Sequence, residues 1–404
     1  MSKNYAEFYK CALQVNPYSY IKYRGQEHEM TEEQYNESIY NYCIKNNISI
    51  IGLADHGNVD KSKKLREYLS SKGILVFPGF EISTSEKIHI VCLFSENTEE
   101  QELERYLGEL GLSNPEDGNS PSTMSFHDIT QRVIDRGGFW YAAHITSDNG
   151  VLKGKHNNLW KSDKLVAAQI PSKKNEVNPN YINILKNKDP NYQKKTPFAL
   201  INAKDVSKPE DLDLDTASCL IKMSKLNFES FKLAFRDPKA RVKLNFDINN
   251  KYPHSSINEI KISMGYLDNL SLDLSPNLNT IIGGRGAGKS TFIELIRYAL
   301  DINPMSRNAN TSFENICKSN LGIGGIVELV VTSHAQYGKQ FKIIKRYNED
   351  PIIKDINNNV SSYTVKDILP NIEVYSQNEI IDLTTDENAK LKILNRFLNR
   401  NDNN

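Results

Sequence analysis

At 404 residues the chain is too long for one ordinary core, so two or three domains are expected. Apolar residues make up 39% and charged residues 25%, and 50 basic against 50 acidic residues cancel overall but not locally. No run approaches the ~20 apolar residues of a membrane span, and the first residues, Met1 to Glu7, lack an apolar signal core. The expectation is a cytoplasmic protein with no membrane partner.

Five scattered cysteines (Cys11, Cys43, Cys92, Cys219 and Cys317) form no Cys-x-x-Cys pair, so they are read as buried free thiols. From about residue 10 to 245, short apolar runs alternate with helix-length amphipathic stretches. Ile48–Ala54 is a buried-strand pattern and Lys61–Lys72 a helix. Ile74–Phe77, Ile88–Phe94, Phe139–Ala143 and Ala199–Ile201 follow as strands. Such alternation argues for a parallel sheet or an α/β barrel. Residues 95–118 hold eight acids against one base, and Gly111–Ser122 within reach of them is a loop. Residues 151–200 carry ten lysines against three acids, a net charge of +7 that suits nucleic-acid phosphates. Part of that stretch, 171–196, reads as a long insertion. The character changes near Asp247, where Asn249 to Pro253 is turn-rich, giving domains at 1–246 and 259–404 with a linker over 247–258.

Separated pieces of the first domain carry metal-ligand chemistry. They are Asp55-His56 in Ile51-Gly-Leu-Ala-Asp-His-Gly-Asn, Glu81 in Phe77-Pro-Gly-Phe-Glu, and His89 in Lys87-Ile-His. Two more are His144 at the end of Gly137-Gly-Phe-Trp-Tyr-Ala-Ala-His and Asp205 in Ala203-Lys-Asp-Val-Ser207. In this order they resemble the polymerase-and-histidinol-phosphatase (PHP) family, a distorted (β/α) barrel with metals at the carboxyl ends of its strands. The resemblance implies that Glu81, His89 and His144 share one transition metal, Zn²⁺ or Mn²⁺. Asp55, His56 and Asp205 take catalytic roles, with His56 and Asp205 orienting substrate or holding a second, weaker ion. The family's first motif, His-x-His, aligns here with Gln14 and Asn16, and its last histidine with Ser207. Amide oxygens are poor ligands for such ions, so one metal is expected rather than three. The stretch Leu226–Val242 resembles the tail of PHP domains fused to ATPases.

In the second domain Leu278–Ile282 reads as a strand. Gly283-Gly284-Arg285-Gly286-Ala287-Gly288-Lys289-Ser290-Thr291 then leads into a helix over Ser290–Leu300, with Phe292, Leu295, Ile296 and Ala299 on one face. The glycines let backbone N–H groups turn inward around phosphates, Lys289 reaches the terminal phosphates, and the Ser290 hydroxyl is placed to ligate Mg²⁺. The bare pattern arises by chance in roughly one chain of this size in a hundred. ATP with Mg²⁺ is therefore the expected cofactor. Asn258 to Leu300 resembles the N-terminal lobe of SMC/Rad50-like P-loop ATPases, and Glu373-Val-Tyr-Ser-Gln377 resembles the segment whose glutamine touches Mg²⁺ and the attacking water.

That family's second lobe brings a signature motif and an Asp-Glu strand end, and neither is found between Gln377 and Asn404. The expectation is a fragment of a longer protein, or another chain that completes the ATP site, with at least a homodimer around nucleotide. The pairing of domains resembles the TrlF-type group associated with bacterial defence. It implies an ATP-gated nucleic-acid-processing protein whose PHP nuclease or phosphoesterase is controlled by the ATPase. A non-catalytic PHP interaction or sensor module on a nucleotide switch is a second expectation. A phosphatase of a small phosphorylated metabolite is a third.

Overall fold

The structure is a computed structural model and describes residues 5–23, 29–112, 120–247, 254–304, 307–376 and 379. The chain divides into two compact units, Ala6–Ile248 and, with the first five residues, Asn249–Asn404. The fold class is α/β in both.

The N-terminal unit holds two sheets. One orders its strands β11 (Val242–Leu244), β10 (Cys219–Met223), β1 (Glu7–Val15), β2 (Ile48–Leu53) and β4 (Leu75–Phe77). The other orders β3 (Asp55–His56), β5 (Gly79–Ser83), β6 (His89–Leu93), β7 (Phe139–Ala142), β8 (Ala167–Gln169) and β9 (Ala199–Ile201). Parallel neighbours (β1–β2, β2–β4, β3–β5, β7–β8, β8–β9) mix with antiparallel ones (β1–β10, β5–β6, β6–β7), so the strand–helix alternation yields a mixed rather than a purely parallel sheet.

Side-chain alternation along the strands separates an inner core from two outer ones. Leu13, Ile50, Val91, Tyr141, Ile201 and Ile221, from both sheets, form one buried cluster. The intervening Ile90, Cys92 and Trp140 pack outward on the helices Glu100–Glu109 and Phe126–Asp135 through Leu103, Leu107, Ile129 and Val133. Ile51 and Leu53 pack on the helix Glu32–Lys45 through Tyr35, Ile39 and Cys43. That helix starts at a capping box in which Thr31 and Gln34 satisfy each other's backbone N–H groups. Each such aliphatic or aromatic side chain contributes about 1.5–3 kcal/mol by leaving water, which is what fixes the strand ends where the site groups sit. The phenylalanines of the tail, Phe228, Phe231 and Phe235, enter the inner core beside Phe77 and Phe139. All five cysteines are buried and free. The 171–196 stretch is not a plain loop: Asn178 caps a helix at Pro179–Leu185.

The C-terminal unit is one antiparallel sheet in the order β13 (Leu270–Asp273), β12 (Ser256–Ser263), β14 (Ile326–Ser333), β15 (Lys339–Arg346) and β16 (Ile352–Asp355). Its inner face, with Ile260, Ile262, Val327, Leu329, Val331 and Ile343, covers the helix Lys289–Ala299 through Phe292, Leu295, Ile296 and Ala299. The apolar helix face expected from the sequence is the face that is buried. Leu278–Ile282, expected as a strand, is not one. It makes no ladder with the described strands, and Leu278 and Ile282 are 86% and 93% exposed. An isolated apolar run cannot hold an extended ladder without a neighbouring strand to bond. Among the described residues no helix is long and apolar enough to cross a membrane.

Candidate metal centre and phosphate-binding loop

In the N-terminal unit, β1 ends beside the chain that leaves β9. Asn16 N–H donates to the Val206 carbonyl at 3.1 Å and Val206 N–H to the Gln14 carbonyl at 3.0 Å. This zipper places Gln14 and Asn16 next to Asp205. Gly52 permits the close approach of β2 to β1, since a Cβ there would lie 2.7 Å from the Leu13 carbonyl oxygen. With β3, β5, β6 and β7 ending alongside, the structure brings Asp55, His56, Glu81, His89, His144 and Asp205 into one cluster.

Glu81 is its centre. Its Oε1 lies 3.4 Å from His56 Nε2, 3.4 Å from His144 Nε2 and in direct contact with His89 Nδ1, while its Oε2 accepts from the Gln14 amide. Three imidazoles thus converge on one buried carboxylate oxygen, and the ligand atoms of His56, Glu81 and His89 all lie within 4.8 Å of one another. His56, expected to orient substrate or hold a second, weaker ion, stands in the same set as Glu81 and His89, with His144 on the same oxygen. His144 sits at φ 25°, in the left-handed region, with its N–H donated to Gln169 Oε1 at 2.6 Å. Strain of this kind is retained where the surroundings overdetermine it.

Burial pushes Asp55 up to about 6, against the His56 N–H bond and charge that pull it down. Burial raises Glu81 too, but the charge of His56 and the bonds from His144 and His89 overcome it and hold the carboxyl well below the usual range. Asp205 is raised by burial and then by the charge of Glu81. Its carboxylate accepts from the Asn16 amide and, at 3.1 Å, from the Tyr20 hydroxyl. Gln14 Oε1, Asn16 Oδ1, His56 Nδ1 and His144 Nδ1 are buried without a partner. Orphaned polar atoms around a carboxylate and three imidazoles are the donor set a divalent transition metal takes, so the residues fit one. Ser207, at the place of the family's last histidine, turns instead to Asp211, with its N–H 3.1 Å from Oδ2.

Three participants escape a reading of the sequence. Tyr20 stacks on His56 at 5.4 Å between ring centres and bonds Asp205. Asn149 lies 3.2 Å from His89 Nε2, and Gln169 fixes His144. Only Tyr20 has a signal, four residues after Asn16; the others come from segments that carry no motif.

In the C-terminal unit, Gly286 and Gly288 take φ of 80° and 84°, and Gly288 caps the helix that opens at Lys289. A side chain at Gly288 would meet both that φ and the Tyr266 ring at 3.0 Å. Lys289 Nζ donates to the Gly283 and Gly284 carbonyls at 2.8 and 2.6 Å, and the Tyr266 hydroxyl, a further residue that no sequence motif singles out, donates to Gly286 O at 3.1 Å. Lys289 and Ser290 line a recess of about 380 Å³ with Asn279, Ile281, Tyr375 and Ser376. Gln377 lies outside the described residues. Its neighbours are held from behind: Arg297, wholly buried on the phosphate-loop helix, donates to Glu379 Oε2 and to the Val374 carbonyl, both at 2.6 Å, and Ser376 N–H donates to Glu379 at 2.8 Å.

Residues 256–404 match the AAA domain family. A protein of Streptococcus pneumoniae (serotype 4, strain ATCC BAA-334 / TIGR4), described only as uncharacterized, is 28% identical over 123 residues. That match covers 28% of this chain and 45% of the relative, so the chain spans less than half of the relative's length. Among solved structures, a two-domain protein of Bacteroides vulgatus ATCC 8482, said to contain a predicted PHP-like metal-dependent phosphoesterase, is 12% identical with a TM-score of 0.36. The overlap covers 66% of this chain and 84% of that one. The lesion-specific endonuclease Q of Pyrococcus furiosus is 9% identical with a TM-score of 0.42, covering 77% and 83%. Overlap of that order is loose, and the metal centre rests on its own geometry.

Proposed function

We propose that this chain joins a PHP-type metal-dependent phosphoesterase, acting as a nuclease, to a nucleotide-binding SMC/Rad50-like lobe that gates it. The convergence of His56, His89 and His144 on Glu81 Oε1 carries the first half of this reading. These four residues would hold the metal. A bound ion there supplies Lewis acidity toward a phosphoryl oxygen and acidifies water. Asp55 and Asp205, in the same cluster, orient substrate and hold protons, and Tyr20 keeps Asp205 in place.

The second half rests on the phosphate loop, whose Lys289, Ser290 and helix N-terminus suit ATP·Mg²⁺. Exposed Leu278, Ile281 and Ile282 beside that loop support a complementary lobe, from the rest of a longer protein or from a second copy, that covers this run and completes the site. Nucleic acid as substrate, a dimer around nucleotide, cytoplasmic location and a part in bacterial defence follow from the TrlF-type resemblance and belong to the same proposal.

Gln14 and Asn16 favour a second reading. They donate to Glu81 and Asp205 where the family has metal-binding histidines, which suits a PHP scaffold that senses rather than cuts. Metal analysis with a nuclease assay on the purified chain separates the two. The nuclease reading expects about one transition-metal ion per chain, lost in Glu81→Gln and His144→Ala together with metal-dependent cleavage of DNA or RNA. A metal content near zero under metal-replete conditions sinks it and leaves the sensor.

A further inference from the structure

The basic stretch of the N-terminal unit is not spread evenly over a solvated face. Five lysines, Lys174, Lys186, Lys194, Lys195 and Lys239, line a single cleft of about 570 Å³, with Asp247 the one acid among its lining residues. Lys239 comes from the tail after β10 and the others from the insertion between β8 and β9, so the cluster is made by folding and not by sequence proximity. The cleft lies against the outward side of β9: Ala199 and Ile201 enter the inner core, while Leu200 packs outward. Phe198, Leu200, Val242 and Leu244 give it an apolar floor.

Two of the lysines are desolvated with no described carboxylate in ion-pair contact. Lys194 is 4% exposed, and its ammonium donates to the Trp160 and Ser162 carbonyls at 2.8 and 2.6 Å, which leaves one of its three N–H donors. Asn187 clamps its backbone in both directions, at 2.8 and 2.9 Å. Burial pushes Lys194 down to about 8, against the pull of Asp163. Lys174 is lowered by burial and then by the charge of Lys186, against Asp247. Lys174, Lys186, Lys195 and Lys239 make no side-chain hydrogen bond or ion pair with a described residue. Lys186, Lys195 and Lys239 are exposed, Lys174 is half-buried and Lys194 buried; keeping the last two charged beside the others costs free energy, and a multivalent anion seated there recovers it.

We propose that this cleft is a second ligand site, apart from the metal centre and the phosphate loop, for a phosphorylated ligand of nucleotide size. Its volume falls in the range of small-ligand pockets, about 300–1,000 Å³. Lysines supply the point charges that phosphoryl groups take, and the apolar floor receives the flat body of a nucleoside. The phosphoryl group belongs to a free nucleotide or to the phosphorylated end of a nucleic-acid strand.

The test uses the full chain carrying Lys289→Ala, in EDTA, so that neither the phosphate loop nor a metal contributes. ATP and a 5′-phosphorylated single-stranded hexanucleotide are titrated separately by calorimetry. Saturation at one ligand per chain by ATP assigns the free nucleotide; saturation by the oligonucleotide alone assigns the strand end. Lys174→Gln/Lys186→Gln lowers that affinity at least tenfold. Lys195→Gln/Lys239→Gln, on other segments, lowers it at least threefold. Lys153→Gln/Lys155→Gln, exposed and outside the cleft, changes it less than twofold. Saturation by neither probe, or equal loss in the control pair, overturns the proposal, as does an unchanged affinity in the Lys195/Lys239 pair.

Discussion

In the N-terminal unit the candidate metal centre is assembled from segments as distant as Gln14 and Asp205, with Asp55, Glu81, Gln14 and Asn16 buried and the three histidines and Asp205 half-buried. In the C-terminal unit consecutive residues from Gly283 to Ser290 make the candidate phosphate loop and leave most of it open to solvent. The first site depends on two sheets to bring charges together: burial raises Asp55 and Asp205, while the facing histidines hold Glu81 low against it. The second depends on local backbone geometry, φ of 80° and 84° at two glycines, and on a helix N-terminus that exists once eleven residues coil. A site of the first kind is preorganised by its own core. One of the second kind takes its shape from local backbone with little help from the core.

The one strongly buried charge system described in the C-terminal unit is the exception, and it offers the largest expected effect. Arg297 and Glu379 are 0% and 1% exposed and pair at 2.6 Å, and Glu294, 5% exposed, lies 3.4 Å from the same guanidinium, so removing Arg297 takes the one described cation from two buried carboxylates. Arg297→Met should cost about 3–5 kcal/mol in unfolding of this unit, followed in the full chain by denaturant titration. Arg297→Met with Glu379→Leu should recover part of that, since the buried Glu294 still lacks its cation. A single-variant cost under about 1 kcal/mol would mean that the pair does not anchor the 374–379 segment to the phosphate-loop helix.

The second effect concerns nucleotide. Lys289→Ala should weaken ATP·Mg²⁺ binding about a hundredfold, some 2.7 kcal/mol, because a positive charge at the terminal phosphates is lost. The chain by itself should turn ATP over barely above background. Unchanged affinity in the variant refutes the assignment; brisk hydrolysis abolished by Lys289→Ala would reveal a catalytic carboxylate elsewhere in this chain.

The same contrast governs how much of each site is legible in the sequence. Gly-x-x-x-x-Gly-Lys-Ser states its chemistry in eight residues, and the helix that follows shows its buried face at positions Phe292, Leu295, Ile296 and Ala299. The candidate metal ligands are legible only as five short strings, each ambiguous, ordered by a family likeness. Their mutual geometry, with His56 in the same set as Glu81 and His89, is a tertiary fact that no spacing encodes. Asn149 and Gln169 are illegible because one comes from a loop and the other from the end of β8, with no residue pattern around them. Leu278–Ile282 misleads for the opposite reason: its apolar run matches a strand, but a strand needs a neighbour to bond, and the described sheet offers it none.

The smallest expected effect is the sharpest test of how the buried site works. Gln14 and Asn16 stand where metal-binding histidines are found in the resembling family, and both direct their amide N–H groups to carboxylates, Gln14 to Glu81 and Asn16 to Asp205. As donors to those carboxylates they act as positioning residues, and their unpartnered oxygens, Gln14 Oε1 and Asn16 Oδ1, face the cluster only as weak neutral acceptors. Gln14→Ala and Asn16→Ala should therefore leave the metal content within about 20% of one ion per chain while loosening the site, since a net hydrogen bond to a charged group is worth about 1.5–3 kcal/mol. Metal affinity measured by competition with a chelator should fall by about tenfold, the lower end of that range. Gln14→His is the converse probe: an imidazole at this position restores a ligand of the right kind and should raise the stoichiometry toward two. A native content already near three would mean that the amides ligate metal directly, and the single-ion description of the centre would then be wrong.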